Sequence, residues 1–178
     1  MRRLKFPLLR RFRDDTEGVV TVGFVLVFPV FIAILLIAVE LGFITMRYAL
    51  LERGLDMTVR EIRLGTGADW EHDEIKDKIC DNAISVTHCK ASLRLEMRQR
   101  SIRNYTSLSD TVDCTDRAEE SDPVMFESGG ANDLMVLRAC YKYRPLFPSA
   151  LLGSKLKKDT SGDASIVAMT AFVQEPKD

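Results

Sequence analysis

The chain has 178 residues, with 25 Lys and Arg against 26 Asp and Glu and a formal net charge of −1. Setting aside the first seventeen residues, net +3, leaves −4 for the rest, a mild acidity that gives no support to nucleic-acid binding. The length excludes two domains of ordinary size once a membrane segment is set aside, since about 135 residues then remain.

The first seventeen residues carry Arg2, Arg3, Lys5, Arg10, Arg11 and Arg13 against Asp14, Asp15 and Glu17. No charged residue then occurs from Gly18 to Val39, a run of twenty-two positions. A bilayer core of about 30 Å needs about 20 apolar residues at 1.5 Å each, so this run is long enough to cross as a helix. A secretory signal has a shorter apolar stretch, about 7–15 residues, followed by a small-residue cleavage site. Val39-Glu40-Leu41-Gly42-Phe43 supplies no such site. A retained membrane span is predicted. Lys and Arg beside a span stay in the cytoplasm, so the N-terminus is expected inside and the bulk of the chain outside. The basic arm is read as a topology and anionic-lipid signal.

The helix is expected to continue past the membrane. Leu41, Ile44, Tyr48, Leu51, Leu55 and Ile62 recur at spacings of three and four, with a gap at Thr58. The opposite face carries Arg47, Glu52, Arg53, Asp56, Arg60 and Glu61, among which Asp56 and Arg60 form a favourable i,i+4 pair. Gly54 weakens the helix by about 1 kcal/mol relative to Ala without ending it. Gly65-Thr66-Gly67 supplies the stop, giving one helix from about Val19 to Leu64. Pro29 removes the amide bond to Val25, which predicts a kink in the lipid half. Glu40, at the outer end of the run, either meets a partner or simply meets water.

Beyond the stop, Asp69 is expected to cap a short helix from Trp70 to about Asn82. Leu93, Leu95 and Met97 alternate with Arg94, Glu96 and Arg98, the pattern of a half-buried strand. Residues 104–132 are polar and read mostly as loop. Leu134 to Tyr143 is the clearest strand, closed by Pro145 and Pro148. Lys155 to Asp163 reads as a polar turn, and Ser165 to Val173 as a last strand. A long helix followed by antiparallel strands gives an α+β fold, helix on sheet.

Four cysteines, Cys80, Cys89, Cys114 and Cys140, all lie on the side placed outside, where an even number reads as two disulfides. Three pairings satisfy the count, and Cys80–Cys89 with Cys114–Cys140 is the sequential one. A metal site from Cys80, His88 and Cys89 is disfavoured, because adjacent residues do not readily aim at one ion and no C-x-x-C occurs. Asp110, Asp113, Asp116, Glu119, Glu120 and Asp122 crowd one segment but lack the spacing of a calcium loop. His72 and His88 have no recognisable nucleophile beside them. No catalytic residue, cofactor or metal is expected.

The basic leader, Glu17-Gly18, the uncharged run with Phe24-Val25-Leu26-Val27-Phe28-Pro29, and its end Val39-Glu40-Leu41-Gly42 are together similar to the TadE-like proteins. These are pseudopilins of the tight-adherence (Tad, or Flp) pilus assembly system. Gly130 to Leu137, Tyr141 to Pro148 and Gln174-Glu175-Pro176 resemble that family's closing strands. The resemblance implies a pilin-like outer domain and a prepilin peptidase that cuts between Gly18 and Val19, removing the leader and keeping the run. It also implies a single-pass protein of the bacterial inner membrane, with its N-terminus cytoplasmic and its C-terminal domain periplasmic.

The family pattern has a glutamate five residues after the cut, where this chain has Gly23. In pilin-type filaments that acid pairs with the amine of a neighbouring subunit, since an unpaired charge in the stack is costly. Its absence implies a minor, initiating or anchoring subunit rather than a major pilin. The expected organisation is a leader at 1–18, a transmembrane helix at 19–41, an exposed half-helix at 42–67 and an extracytoplasmic α+β domain at 68–178. Other pseudopilins or pilus assembly proteins are expected against Gly23, Pro29, Glu40, Leu41, Ile44, Tyr48 and Leu51. The competing reading is a membrane-tethered enzyme or ligand-binding module whose helix is only an anchor. A deep pocket with convergent acids would favour that alternative.

Overall fold

The computed structural model describes residues 18–64, 70–84, 86–101, 103, 109, 112, 114 and 126–175. Helix α1 runs Val19–Leu64, 46 residues without interruption at Pro29 or Gly54. The chain divides into two compact units, 1–39 and 40–178. In the first, the large apolar side chains are open to the surroundings: Val20 is 82% exposed, Leu26 69% and Ile34 62%. A chain that leaves so much apolar surface uncovered needs lipid or protein to cover it.

The second unit is built on a three-stranded antiparallel sheet in the order β1-β2-β3, with β1 Leu93–Arg100, β2 Leu134–Tyr143 and β3 Ala164–Val173. Leu95 sits opposite Ala139, and Ala139 opposite Ala168, so odd residues of β1 and β2 share one face with even residues of β3. That face enters a core with Leu51, Leu55, Val59 and Ile62 from α1 and Ile75 and Ile79 from α2, His72–Asn82. The fold is α+β, a long apolar N-terminal helix followed by a small antiparallel sheet.

From Leu51 to Ile62 the apolar stripe on α1 therefore serves this core, and the polar gap in it is accommodated. Thr58 is fully buried; its hydroxyl donates to the Gly54 carbonyl at 2.9 Å and accepts from the Asn82 amide at 3.3 Å. Gly54 marks the point where α1 and α2 cross. A Cβ built there would lie 2.7 Å from the Ile79 carbonyl oxygen and 2.8 Å from the Ala83 Cβ. The helix weakness read from the sequence is thus the condition for close approach.

Four expectations are corrected. Helix α2 begins at His72, two residues late, with Glu71 at its N-cap making no side-chain capping bond; Asp69 lies outside the described residues. Trp70 is occupied otherwise, partly buried against the core with the Lys78 ammonium 5.2 Å from its ring centre. Strand β1 is not half-exposed: Arg94 and Glu96 are both buried, because the second face of the sheet is also covered. There Arg138 donates from Nε to Glu96 at 3.0 Å and from a terminal nitrogen to the Ser109 carbonyl at 2.8 Å. Arg98 approaches the other Glu96 oxygen at 2.7 Å. Among the described residues, Asp56 and Arg60 form no ion pair; Glu61 instead takes Lys78 of α2 at 2.8 Å. Two one-turn helices were not expected from the sequence, α3, Cys89–Ser92, directly before β1 and α4, Leu151–Lys155, before the polar turn. Each is too short to show a period. The acidic residues Asp110, Asp113, Asp116, Glu119, Glu120 and Asp122 lie outside the described residues, as do Gly65-Thr66-Gly67.

Candidate functional site: the apolar helix and the Glu40 junction

Gly18 is the turn residue before α1, and its carbonyl accepts the Val22 amide at 3.0 Å. Val19 is the first helical residue. A Cβ added at Gly18, Gly23 or Gly42 would meet nothing within 4 Å, so each leaves a flat, open place on the helix. Small residues at such places let a second helix approach closely in a membrane. Pro29 is exposed within the same stretch.

The stripe expected as one partner surface is divided by the fold. Leu51 is fully buried in the chain's own core and Ile44 is partly buried against it. Leu41, 51% exposed, and Tyr48, 40% exposed, face outward. The Tyr48 hydroxyl donates to Glu52 one turn later at 2.7 Å.

Glu40 is the group whose place sequence reasoning left open. It is buried, and its two carboxylate oxygens accept the backbone N–H of Leu146 at 3.2 Å and of Phe147 at 3.0 Å. The residues that follow β2 are thereby held against the helix where its uncharged run ends. Pro145 and Pro148 flank the two amides, leaving Leu146 and Phe147 as the donors between them. Nothing local in the sequence around Glu40 signals this partner. Nearby, the Arg47 guanidinium lies 4.9 Å from the Tyr143 ring centre and 5.9 Å from that of Phe43. Burial pushes the Tyr143 phenol above its ordinary value; the Arg47 charge opposes this and the Glu40 charge adds to it.

The helix also carries the family signal. Residues 18–60 match the family model of TadE-like proteins. The matched segment covers the open glycines, Pro29, Glu40 and the outward Leu41 and Tyr48, and it does not extend to the C-terminal segments for which a family resemblance is expected from the sequence. No curated protein and no solved structure matches the chain. By length and composition α1 is apolar enough to cross a bilayer, with a mean hydropathy of 3.1 over eighteen residues, none of them buried.

Elsewhere, Cys80 is bonded to Cys89 and Cys114 to Cys140, with Cα atoms 5.6 and 5.4 Å apart. The first ties the end of α2 to α3; the second ties residue 114 to β2 on the face opposite the helix core. The sulfurs a Cys80–His88–Cys89 metal site would need are bonded to each other. Among the described residues, no three of His, Cys, Asp and Glu gather as ligands. A cleft of about 520 Å3 opens by Arg100, Arg103, Glu127 and Asp133. Both acids in its wall are already engaged, Glu127 by the Gln99 amide at 3.2 Å and Asp133 by the Gly130 amide at 2.8 Å.

Proposed function

We propose that the chain is a non-enzymatic, minor pseudopilin-like component of Tad/Flp pilus assembly. It would sit in the bacterial inner membrane by its N-terminal helix, with the leader cytoplasmic and the sheet domain periplasmic. The observation that carries the reading is the uncovered apolar stretch of α1 inside a segment that matches TadE-like proteins. Other pseudopilins or pilus assembly proteins would lie against Gly23, Pro29, Leu41 and Tyr48, and a prepilin peptidase would cut between Gly18 and Val19. Leu51 and Glu40, turned inward, would support that surface without forming it. With Gly23 in place of the family's acid, recognition between helices rests on shape. The engaged acids at the cleft give the tethered-enzyme reading no support.

The test has three parts. The mass of the N-terminus recovered from membranes should correspond to a chain beginning at Val19. A reporter active only outside the cytoplasm, fused after Asp178, should be active. Gly23→Leu should weaken co-purification with partner pseudopilins. An active cytoplasmic reporter, or assembly indifferent to Gly23→Leu and Tyr48→Asp, would return α1 to the status of a mere anchor.

A further inference from the structure

We infer that the segment 144–158, Arg144-Pro145-Leu146-Phe147 through Lys158, is a second membrane contact that lies in the headgroup layer and binds anionic phospholipid. The inference rests on reading residues 19–39 as a membrane span.

Its first support is position. Glu40 is the first charge after the uncharged run, and its carboxylate holds the Leu146 and Phe147 amides at 3.2 and 3.0 Å. One helical residue rises 1.5 Å, and the polar layer on each side of a bilayer is about 5–8 Å deep. A backbone pinned to the carboxylate of Glu40 therefore falls within that layer.

The second support is rigidity. The Ala150 amide donates to the Phe147 carbonyl at 3.1 Å, and α4 lies so close to that carbonyl that a Cβ at Gly153 would come within 2.1 Å of it. The Lys158 ammonium donates to the Pro148 and Gly153 carbonyls, the latter at 2.9 Å, so the segment is folded back on itself. Leu151 is held at φ 42, in the left-handed region that a leucine avoids. Such strain persists only where the surroundings over-determine it.

The third support is chemistry. Leu146 and Leu151 are each 44% exposed on this fixed segment. Lys155, one turn after Leu151 in α4, and Lys157 are exposed, and among the described residues neither has an acidic partner. Leucines that enter the acyl boundary, rimmed by lysines that meet lipid phosphates, are the composition of an interfacial element. The occupant this combination fits is a lipid surface, continuous with the one around α1.

The experiment uses the full chain in vesicles, with Trp70→Phe removing the single native indole. Leu151→Trp, and separately Leu146→Trp, report contact with lipids brominated near the ester or near the chain end. Met169→Trp on β3 and Ile34→Trp in α1 are the outer and spanning controls. Shallow bromines should quench the indoles at 146 and 151, at least about twofold more strongly in phosphatidylglycerol than in phosphatidylcholine vesicles. Lys155→Gln with Lys157→Gln should abolish that difference. No quenching at either leucine while Ile34→Trp is quenched by deep bromines would overturn the inference and leave the span standing. Quenching that is indifferent to lipid charge would overturn the anionic specificity. An unquenched Ile34→Trp would overturn the span, and this inference with it.

Discussion

The carboxylate of Glu40 accepts the backbone N–H of Phe147 at 3.0 Å, across 107 residues of chain. With the Leu146 amide on the other oxygen, one side chain satisfies two backbone donors that the flanking prolines keep out of any ladder. The acid at the end of the apolar run is thus spent within the chain itself.

Replacing Glu40 by Ala orphans both amides, and a buried donor left unpaired costs about 1–3 kcal/mol. Denaturant unfolding in detergent should show a loss in that range or above for Glu40→Ala. Glu40→Gln, which retains one carbonyl acceptor, should lose less. Limited proteolysis should cut between residues 144 and 158 faster in Glu40→Ala. Equal stability of parent and Glu40→Ala would mean that the two amides are satisfied without the carboxylate.

Gly54→Ala runs against helix propensity, which favours Ala by about 1 kcal/mol. The added methyl would press on the Ile79 carbonyl of α2 and on Ala83 at its C-cap, backbone or near-backbone groups with little room to yield. Overpacking of that kind costs about 1–3 kcal/mol, so the variant should be less stable despite the better helix former. A stabilised Gly54→Ala would mean α1 and α2 separate freely. A lowered thermal midpoint is the expected result.

Glu96 is the common partner of Arg138 and Arg98 under the covered face of the sheet. Its removal leaves the buried Arg138 charge short of its partner, so Glu96→Ala should cost about 3–5 kcal/mol. Exchanging both members for apolar residues, Glu96→Leu with Arg138→Met, should restore a large part of that loss. A double-mutant cycle measured by denaturant unfolding decides the point, since simple additivity would show the pair uncoupled.

Asp159 gives the domain a pH-dependent contribution. Burial by itself pushes its carboxyl up, but the Lys142 ammonium at 2.7 Å and the backbone amides of Asp163 and Ser161 outweigh it and hold the group below its ordinary value. A depressed folded value stabilises fully above the unfolded carboxylate range, about 3.9, and the stabilisation is lost as pH falls through the folded value. Asp159→Asn should therefore be less stable than the parent at neutral pH, with the gap closing as the pH drops below about 4. A gap of constant size across that range would assign the effect to shape alone.

Local period and punctuation carried the long elements of this protein. An uncharged run and an apolar stripe at spacings of three and four placed α1 at Val19–Leu64, and the apolar run closed by Pro145 placed β2 at Leu134–Tyr143. These signals are local because helix and strand repeat every few residues. What depended on distant residues was left to the tertiary structure. Gly54 looked like a weakness until Ile79 and Ala83 were seen against it, and Thr58 looked like a gap until Asn82 reached it. Arg94 and Glu96 alternated as solvent-facing residues do, yet cover from the far side of the sheet buried them. Leu51 and Tyr48 belonged to one stripe, and only the position of the sheet turned the first inward and left the second outside. Glu40 had two open readings in sequence because its partners are backbone amides, which every residue but proline carries and no side-chain pattern announces.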